Sequence, residues 1–260
     1  MDFAFEKFQG TGNDFIIADN RLGKYTPLQN DQIMQLCRHK FGIGSDGLVL
    51  LNSHSEFDFE MVFYNPDATK SFCGNGARCA VAFALKNHFP LSHGKFVAID
   101  GVHEYRIENG TARIKMNDVD TVQNLEERAA FLDTGSPHYV LFAEDLSTEN
   151  VVEVGRKIRF SEPYALKGVN VNLIQPINNT SIRIATYERG VEHETLSCGT
   201  GATACALFFA HRQGMESGEL QVFTKGGTLQ VAFQKVGSTY TSIWLGGPAM
   251  HVFSGQIEIA

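Results

Sequence analysis

Two stretches of the chain share one cysteine motif: FCGNGARCAVAFA at residues 72–84 and SCGTGATACALFFA at residues 197–210. In each, a cysteine (Cys73 or Cys198) is followed by Gly-x-Gly-Ala and then by a run of small and apolar residues. A helix that is apolar on every side is typical of a protein interior. We therefore predict a buried helix over Gly76–Leu85 and another over Gly201–Ala210, each preceded by one of the two cysteines.

Weaker similarities extend this repeat along the chain. TGNDFIIAD (11–19) resembles TGSPHYVLF (134–142), VFYN (62–65) lies opposite ATYE (185–188), and GIGSDGLVL (42–50) lies opposite GVNVNLIQ (168–175), at a spacing of 126 residues in the last case. The matches occur in one order and at nearly one spacing. We interpret them as an internal duplication into two lobes, 1–120 with Cys73 and 121–260 with Cys198, the C-terminal segment being able to return to the first lobe.

Hydrophobic periodicity predicts the fold class. Helical signals cover Asp31–Lys40, with Asn30 as its cap, and Val151–Arg159, besides the two apolar segments. Strand signals are more numerous. Together they predict an α+β fold of two pseudo-symmetric lobes, each a mixed or antiparallel sheet curled around one central buried helix. The predicted strands are Phe57–Tyr64, Phe96–Ile99, Ala112–Met116, Tyr139–Phe142, Val169–Gln175, Ile182–Tyr187, Leu220–Phe223, Leu229–Phe233 and Thr239–Leu245.

Composition excludes several classes of protein. The net charge of -7 argues against binding of nucleic acid, which requires a basic surface. The apolar windows are too short to cross a membrane, and the N-terminus lacks the pattern of a signal peptide. Five cysteines without an export signal argue against a disulfide framework, and their spacing does not fit a zinc site. We expect a cytoplasmic protein that binds no metal, no nucleic acid and no membrane.

One motif points to a nucleotide site and is rejected. GIGSDG (42–47) matches the G-x-G-x-x-G pattern of dinucleotide-binding proteins. That pattern binds a pyrophosphate only where a strand precedes it and a helix follows it. Here the predicted helix precedes the motif and a strand-like LVLL follows it, so we predict no nucleotide site.

The Cys-Gly-x-Gly motif has a chemical use at the start of a helix. A cysteine there lies beside backbone N–H groups without partners and the positive end of the helix dipole, which favours the thiolate. Glycines allow a ligand carboxylate to approach the same N–H groups. A single motif of this kind fits an inert buried thiol better than a reactive one. We interpret Cys37, Cys79 and Cys205, which lie within apolar helical segments, as inert core thiols.

The duplication changes this interpretation for Cys73 and Cys198. Two related lobes can bring their helix starts to one cleft, so that the two thiols lie on opposite faces of a bound carbon. Inversion of a stereocentre requires such a pair, because one thiolate removes the proton and the opposed thiol supplies another. The helix N–H groups would stabilise the charge that develops on the carboxylate.

Three motifs together resemble one enzyme family over the whole chain. GTGNDF (10–15), CGNGARC (73–79) and YERGVEHETLSCGTGA (187–202) are similar to diaminopimelate epimerase, a two-cysteine isomerase of lysine biosynthesis. The resemblance implies epimerisation of LL-2,6-diaminopimelate to the meso isomer without a cofactor. It implies that Cys73 and Cys198 exchange the roles of base and acid. It is compatible with a homodimer, for which the chain has no signal of its own.

The resemblance also implies a set of substrate contacts. Glu188 and Arg189 would bind the distal ammonium and carboxylate, and His138 with Glu188 would adjust the pKa of a catalytic cysteine. A carboxylate can accept two parallel hydrogen bonds from an arginine, which agrees with the role of Arg189. The remaining implied contacts are the backbone of Gly74, Asn75, Gly199 and Thr200 at the reacting carboxylate, and the side chains of Asn13, Asn65 and Asn170.

The chain departs from the pattern of the family at two positions. Ser136 replaces an asparagine of many relatives, and Gly47 replaces a glutamine of some. Both positions lie near the substrate in the family.

Three alternative functions stay open on the sequence alone. The nearest alternative is a related two-cysteine racemase, for example one acting on histidine. A thiol redox protein and a non-catalytic amino-acid-binding protein are the others.

Overall fold

The protein, described by a computed structural model for residues 1–87 and 93–259, forms two compact units. Unit 1 is Met1–Ile114 with Gly247–Ala260, and unit 2 is Lys115–Gly246. Residues 115–120, which we expected in the first lobe, belong to unit 2. The reason is backbone pairing, since Met116 N donates to Ile243 O and Val119 pairs with Tyr240.

Strands outnumber helices among the described residues. The helices are α1 (Asn30–Cys37), α2 (Gly74–Lys86), α3 (Val151–Arg159) and α4 (Gly199–Arg212). The strands are β1 (Asp2–Gly10), β2 (Asn13–Asp19), β3 (Gly47–Asn52), β4 (Phe59–Tyr64), β5 (His93–Ala98), β6 (Gly101–Glu108), β7 (Thr111–Lys115), β8 (Gln123–Glu126), β9 (Ala129–Asp133), β10 (Pro137–Phe142), β11 (Asn170–Asn178), β12 (Ser181–Glu188), β13 (His193–Thr195), β14 (Ser217–Thr224), β15 (Gly227–Val236), β16 (Thr239–Gly246) and β17 (Met250–Glu258).

The two units have sheets of the same topology. The strand order in unit 1 is β17-β1-β2-β3-β4-β5-β6-β7, and the β2–β3 and β4–β5 pairs are parallel. The order in unit 2 is β8-β9-β10-β11-β12-β14-β15-β16, and the β10–β11 and β12–β14 pairs are parallel. All other pairs in both sheets are antiparallel. The predicted α+β class, with a duplicated mixed sheet, is confirmed.

Each parallel pair requires a crossover connection, and a helix supplies it. In unit 1, α1 connects β2 to β3 and α2 connects β4 to β5; in unit 2, α3 connects β10 to β11 and α4 connects β12 to β14 by way of β13. The predicted buried helices are α2 and α4. The sheet of unit 1 surrounds α2 with residues such as Phe59, Phe96 and Ile114, and the sheet of unit 2 surrounds α4 with Val140, Ile184 and others.

Helix α1 packs on the face of the unit 1 sheet that points away from α2, and helix α3 packs on the face of the unit 2 sheet that points away from α4. This double cover explains the composition of β3, GLVLLN, which is apolar without alternation. Val49 and Leu51 face the cluster around α2, whereas Leu48 and Leu50 face the cluster that contains α1. A strand buried on both faces has no exposed positions for polar residues.

Two expectations about boundaries are wrong. Helix α1 is capped by Gln29, not Asn30, and it ends at Cys37, not Lys40. Arg38 is extended, and the chain then turns back so that the Gly44 N–H donates to Leu36 O. Gly44 has a φ of +78°, which favours glycine, and it closes this turn.

The predicted alignment of GIGSDGLVL with GVNVNLIQ is wrong by three residues. Strand register gives the true match, because Phe15 pairs with Gly47 as His138 pairs with Asn170. Gly47 therefore corresponds to Asn170, and Val49 corresponds to Asn172. The two crossover segments are equal in length, since Phe15 and Gly47 are as far apart in sequence as His138 and Asn170. The predicted match lined up Gly42 with Gly168, which do not correspond in this register. The match of VFYN with ATYE agrees with this register.

Within the described residues, every helix is too short or too polar to cross a membrane. The rejected GIGSDG motif indeed follows α1 and leads into β3, the reverse of the order in dinucleotide sites.

Candidate active site

Cys73 and Cys198 occupy the same structural position in their units. Each is the residue that caps its helix, α2 or α4, with an extended backbone at φ −132° and −130° respectively. The Sγ atom of Cys73 accepts a hydrogen bond from Gly76 N at 3.5 Å, and that of Cys198 accepts one from Gly201 N at 3.4 Å. Both sulfur atoms thus lie at the positive end of a buried helix, where a thiolate is favoured.

The first amides of each helix can bind an anion. In any α-helix the first N–H groups have no intrahelical acceptor, and here these groups belong to Gly74 and Asn75 in unit 1 and to Gly199 and Thr200 in unit 2. They lie one and two residues after the cysteines. A carboxylate bound to such amides would lie close to the sulfur atom of the same unit.

In unit 1 the structure joins two of the predicted contact residues. Asn75 Nδ2 donates to Asn13 Oδ1 at 2.5 Å, and Asn13 Nδ2 donates to Asp46 Oδ2 at 3.0 Å. Asn65 follows β4, and its Nδ2 atom donates to Ser71 Oγ at 3.1 Å. Sequence reasoning missed Asp46, which lies in the rejected GIGSDG motif and holds Asn13 in place.

The glycine at position 47 is required by packing. A Cβ atom there would overlap the ring of Phe63 and the carbonyl of Tyr64. A glutamine, which some relatives have at this position, would not fit beside Phe63. The departure at Gly47 therefore reflects the core beneath it.

In unit 2 three predicted residues form a chain of hydrogen bonds. Asn170 Nδ2 donates to Ser136 Oγ at 3.0 Å, and Asn170 Oδ1 accepts from Arg189 N at 2.9 Å. Arg189 Nη1 donates to Lys167 O at 2.9 Å. Ser136 thus keeps a polar partner for Asn170, so this departure retains the hydrogen bond. Glu188, the last residue of β12, is half-buried.

The turn that carries Arg189 is anchored by a half-buried acid, Glu192. Glu192 Oε2 accepts from Tyr187 Oη at 2.9 Å, and Glu192 Oε1 accepts from Gly190 N at 3.1 Å. Arg159, from the end of α3, forms an ion pair with the same carboxylate at 3.3 Å. These contacts fix the turn between Glu188 and Glu192.

His138 is completely buried beneath the start of α4. Its Nε2 atom lies 3.0 Å from Thr200 Oγ1, and its Nδ1 atom lies 2.8 Å from Asn172 Oδ1. Burial lowers the pKa of His138 to about 4, because its effect is larger than the opposing effect of the hydrogen bond to Asn172. The imidazole is therefore neutral at physiological pH. Thr200 Oγ1 also lies 3.4 Å from Cys198 Sγ, so one hydroxyl connects the histidine to the cysteine.

Sequence reasoning missed Asn172 and Thr186, which extend this buried network. Asn172 Nδ2 donates to Thr186 Oγ1 at 2.7 Å. One signal in the sequence could have indicated Asn172, since it is a second asparagine within the apolar strand segment VNVNLI. A buried amide requires partners, and a buried histidine on the neighbouring strand is a suitable one.

The duplicated glycines give a matched prediction for stability. A Cβ atom at Gly201 would lie 2.5 Å from Asn172 Nδ2, whereas one at Gly76 would lie no closer than 3.4 Å to its neighbours. Gly201→Ala should destabilise the protein by about 1–3 kcal/mol through overpacking. Gly76→Ala should change stability by less than about 1 kcal/mol, since alanine also favours the helix. Thermal unfolding of both variants checks this; equal midpoints would contradict the packing described for Asn172.

Solved structures of the same fold include several isomerases. A phenazine biosynthesis protein of the PhzF family from Bacillus anthracis has a TM-score of 0.75 at 14% identity, over 100% of both chains. A hydroxyproline epimerase from Agrobacterium vitis, with bound trans-4-hydroxy-L-proline, has a TM-score of 0.67 at 14% identity, over 98% of this chain and 92% of that one. At these identities the likeness establishes the fold.

Sequence comparison identifies the family. The family model described as Diaminopimelate epimerase matches residues 5–123 and 130–252. A diaminopimelate epimerase of Flavobacterium psychrophilum is 47% identical over 254 residues, covering 96% of this chain and 98% of that protein. One of Aquifex aeolicus is 35% identical over 274 residues, covering 98% and 97%. With both halves of the chain matched and each cysteine motif inside a matched segment, the chain belongs to the diaminopimelate epimerase family.

Proposed function

We propose that this protein is an isomerase that converts LL-2,6-diaminopimelate to meso-diaminopimelate without a cofactor, in the synthesis of lysine and cell-wall precursors. Its membership of the family, and the names of its relatives in Flavobacterium psychrophilum and Aquifex aeolicus, support this substrate. The observation that carries the proposal is the duplicated cysteine cap, with Cys73 before α2 and Cys198 before α4.

The two cysteines supply the acid and the base. One cysteine, as the thiolate, removes the α-proton from one face of the substrate carbon, and its S–H bond forms as the C–H bond breaks. The other cysteine, as the thiol, gives its proton to the opposite face. The two sulfur atoms have then exchanged protonation states, and the reverse reaction uses them in the opposite roles.

The helix amides supply charge stabilisation. As the α-proton leaves, negative charge moves onto the carboxylate of the substrate. The N–H groups of Gly74, Asn75, Gly199 and Thr200 are oriented at helix starts before the reaction and cost no reorganisation during it. Asn13 is positioned by Asp46 to orient the substrate, and Asn65 contributes from the end of β4.

The distal end of the substrate would be recognised by unit 2. Glu188 would accept from the distal ammonium, and the guanidinium of Arg189 would donate to the distal carboxylate. Asn170 supports this assignment because its side chain accepts from the backbone of Arg189. A racemase of amino acids without a second charged end would have no use for this pair.

Inversion by the purified, reduced protein tests the proposal. We expect formation of meso-diaminopimelate from LL-diaminopimelate with no added cofactor, and no inversion of L-histidine or L-proline. Inversion of histidine in preference to diaminopimelate would favour the alternative racemase. Activity that requires a disulfide, or binding of diaminopimelate without inversion, would overturn the isomerase assignment in favour of a redox or binding protein.

We also propose a cytoplasmic location and a homodimer. All five cysteines, each within the described residues, are reduced thiols, which fits a reducing compartment. Strand β17 pairs with β1 and exposes Met250, Val252 and Phe253, an apolar surface that a second copy could cover. Light scattering coupled to size-exclusion chromatography measures the assembly directly, and a mass of one chain at micromolar concentration would contradict the dimer.

A further inference from the structure

A line of four hydrogen bonds passes from the sulfur atom of unit 2 into its core. Cys198 Sγ lies 3.4 Å from Thr200 Oγ1, and Thr200 Oγ1 lies 3.0 Å from His138 Nε2. His138 Nδ1 lies 2.8 Å from Asn172 Oδ1, and Asn172 Nδ2 lies 2.7 Å from Thr186 Oγ1. Asn172 and His138 are completely buried, and Thr186 is nearly so.

With the Asn172 amide oriented as in the structure, the donors and acceptors along this line have one consistent arrangement. Asn172 donates to Thr186 through Nδ2, so the atom that faces His138 is the amide oxygen, which only accepts. His138 Nδ1 must then carry the proton. A neutral imidazole with a proton on Nδ1 presents a lone pair at Nε2, so Nε2 accepts from the hydroxyl of Thr200.

This arrangement has a consequence for Cys198. Because the hydroxyl proton of Thr200 points to His138, the oxygen of Thr200 presents only lone pairs to the sulfur atom. A thiol can donate its proton to those lone pairs, whereas a thiolate has nothing to accept from them. The hydrogen-bonded line therefore favours the protonated form of Cys198. It opposes the effect of the helix start and of the glycine N–H, which Cys73 and Cys198 share and which favours the thiolate at both.

Charged groups near His138 leave its neutral form in place. Asp133, at the end of β9, raises the pKa of His138, and Arg189, after β12, lowers it. Both effects are smaller than that of burial, which keeps the imidazole neutral.

Unit 1 has apolar residues at the positions that match His138, Asn172 and Thr186. The pair Val49–Phe63 occupies the register of Asn172–Thr186, and Phe15 occupies that of His138. The rings of Phe15 and Phe63 pack edge to face at 6.0 Å. The residue that matches Thr200 is Asn75, whose side chain donates to Asn13 instead. The duplicated units thus differ beneath their cysteines, although their backbones are alike.

We propose that Asn172 is a positioning residue that holds His138 with its proton on Nδ1, so that Thr200 keeps Cys198 as a thiol in the ligand-free enzyme. Cys198 is then the acid that the resting enzyme holds ready. The consequence for catalysis rests on the proposed function, but the protonation state of Cys198 and the tautomer of His138 do not. Both can be measured without substrate.

The tautomer is measured first, in the unmodified protein. Carbon and nitrogen NMR of histidine-labelled protein distinguishes a proton on Nδ1 from a proton on Nε2, and the His138 signal is assigned by its loss in His138→Phe. We expect a neutral ring with the proton on Nδ1. A proton on Nε2 would overturn the proposal, whatever the enzyme catalyses.

The protonation state of Cys198 is measured by alkylation. Iodoacetamide reacts with thiolates, and the rate at Cys198 is read relative to Cys73 in the same molecule by mass spectrometry. In Asn172→Leu, the Nδ1 proton loses its acceptor, and a buried N–H without a partner is unfavourable. The proton then moves to Nε2, which donates to Thr200, and the freed hydroxyl can donate to a thiolate at Cys198. We expect the ratio of rates, Cys198 to Cys73, to rise about tenfold.

Two controls separate positioning from general loosening of the structure. In a Thr200→Val background, Asn172→Leu should leave the ratio of rates unchanged, because the effect passes through the hydroxyl of Thr200. Val49→Ala, at the matched position in unit 1, should leave it unchanged in the native background. The proposal would be overturned if Asn172→Leu left the ratio of alkylation rates unchanged in the native background. It would also be overturned if Asn172→Leu raised the ratio in the Thr200→Val background. An epimerase assay on the same samples reports separately on the proposed function.

Discussion

Cys73→Ala and Cys198→Ala should each lose nearly all epimerase activity. Either substitution removes the acid or the base on one face of the substrate carbon, and such groups contribute about 10²–10⁴-fold each. Because inversion needs both groups in either direction, we expect kcat to fall by at least about 10³-fold with both variants. Circular dichroism of meso-diaminopimelate formation, or separation of the stereoisomers by chromatography, measures the loss.

The chain provides matched controls for these substitutions on the same two helices. Cys79 lies within α2, and burial raises the pKa of its thiol to about 12. Cys205 lies within α4, and burial raises the pKa of its thiol well above the usual value. Cys79→Ala and Cys205→Ala should keep kcat within about threefold, since an inert core thiol contributes only packing. Turnover by Cys73→Ala or Cys198→Ala near the rate of these controls would contradict the two-base mechanism.

Arg189→Met should lower kcat/KM for diaminopimelate by about 10- to 100-fold, the cost of losing hydrogen bonds to a charged group. Arg189→Lys should recover only part of this loss, because an ammonium cannot form the two parallel bonds of a guanidinium. The loss should fall mainly on KM, since the distal carboxylate does not change during the reaction. Steady-state kinetics over a range of LL-diaminopimelate concentrations measures it.

Arg183, an arginine within β12, provides the control. Arg183 is exposed, and its Nη1 atom lies 3.5 Å from Gln175 Oε1. It precedes Glu188 by five residues on β12, about 16 Å along the strand. Arg183→Met removes a surface charge of the same type and should leave kcat/KM unchanged within about twofold, as surface substitutions usually do. Equal kinetics for Arg189→Met and Arg183→Met would show that Arg189 does not bind the substrate.

The parts of the fold that follow from local pattern could be predicted from the sequence. The apolar segments after Cys73 and Cys198 predict the central helices, because a helix without a polar face must be buried. Helix α3 was predicted at its observed bounds, Val151–Arg159, and in the structure Asn150 caps it by accepting from Glu153 N. Each predicted strand overlaps an observed one.

Other features depend on contacts that sequence patterns do not report. Several strands were not predicted: β1, β2, β6, β8, β9, β13 and β17. In β1 and β6, polar residues at exposed or half-exposed positions weaken the apolar pattern. The end of α1 is set by the turn that closes at Gly44, and the fit of Gly47 is set by the ring of Phe63. Strand register determines which residues correspond between the units, and the match of GIGSDGLVL with GVNVNLIQ, which lined up their first glycines, is displaced from that register by three residues.

The same limit applies to the candidate site. The motifs predicted both cysteines and the residues near them in sequence, such as Asn75 and Thr200. Asp46, Asn172 and Thr186 lie in strands or loops remote in sequence from the cysteines and are joined to the site only through side-chain hydrogen bonds. A single sequence carries little information on such pairs.

The fate of the α-hydrogen tests the central claim most directly. The reaction is run in deuterium oxide from LL-diaminopimelate carrying ordinary hydrogen and is stopped at low conversion, and product and remaining substrate are analysed by mass spectrometry. With two cysteines, the removed proton stays on one sulfur atom and the product receives a deuteron from the other. We predict deuterium at the inverted carbon of nearly every product molecule and ordinary hydrogen in the remaining substrate. Product that keeps the substrate's own α-hydrogen would contradict the two-base account.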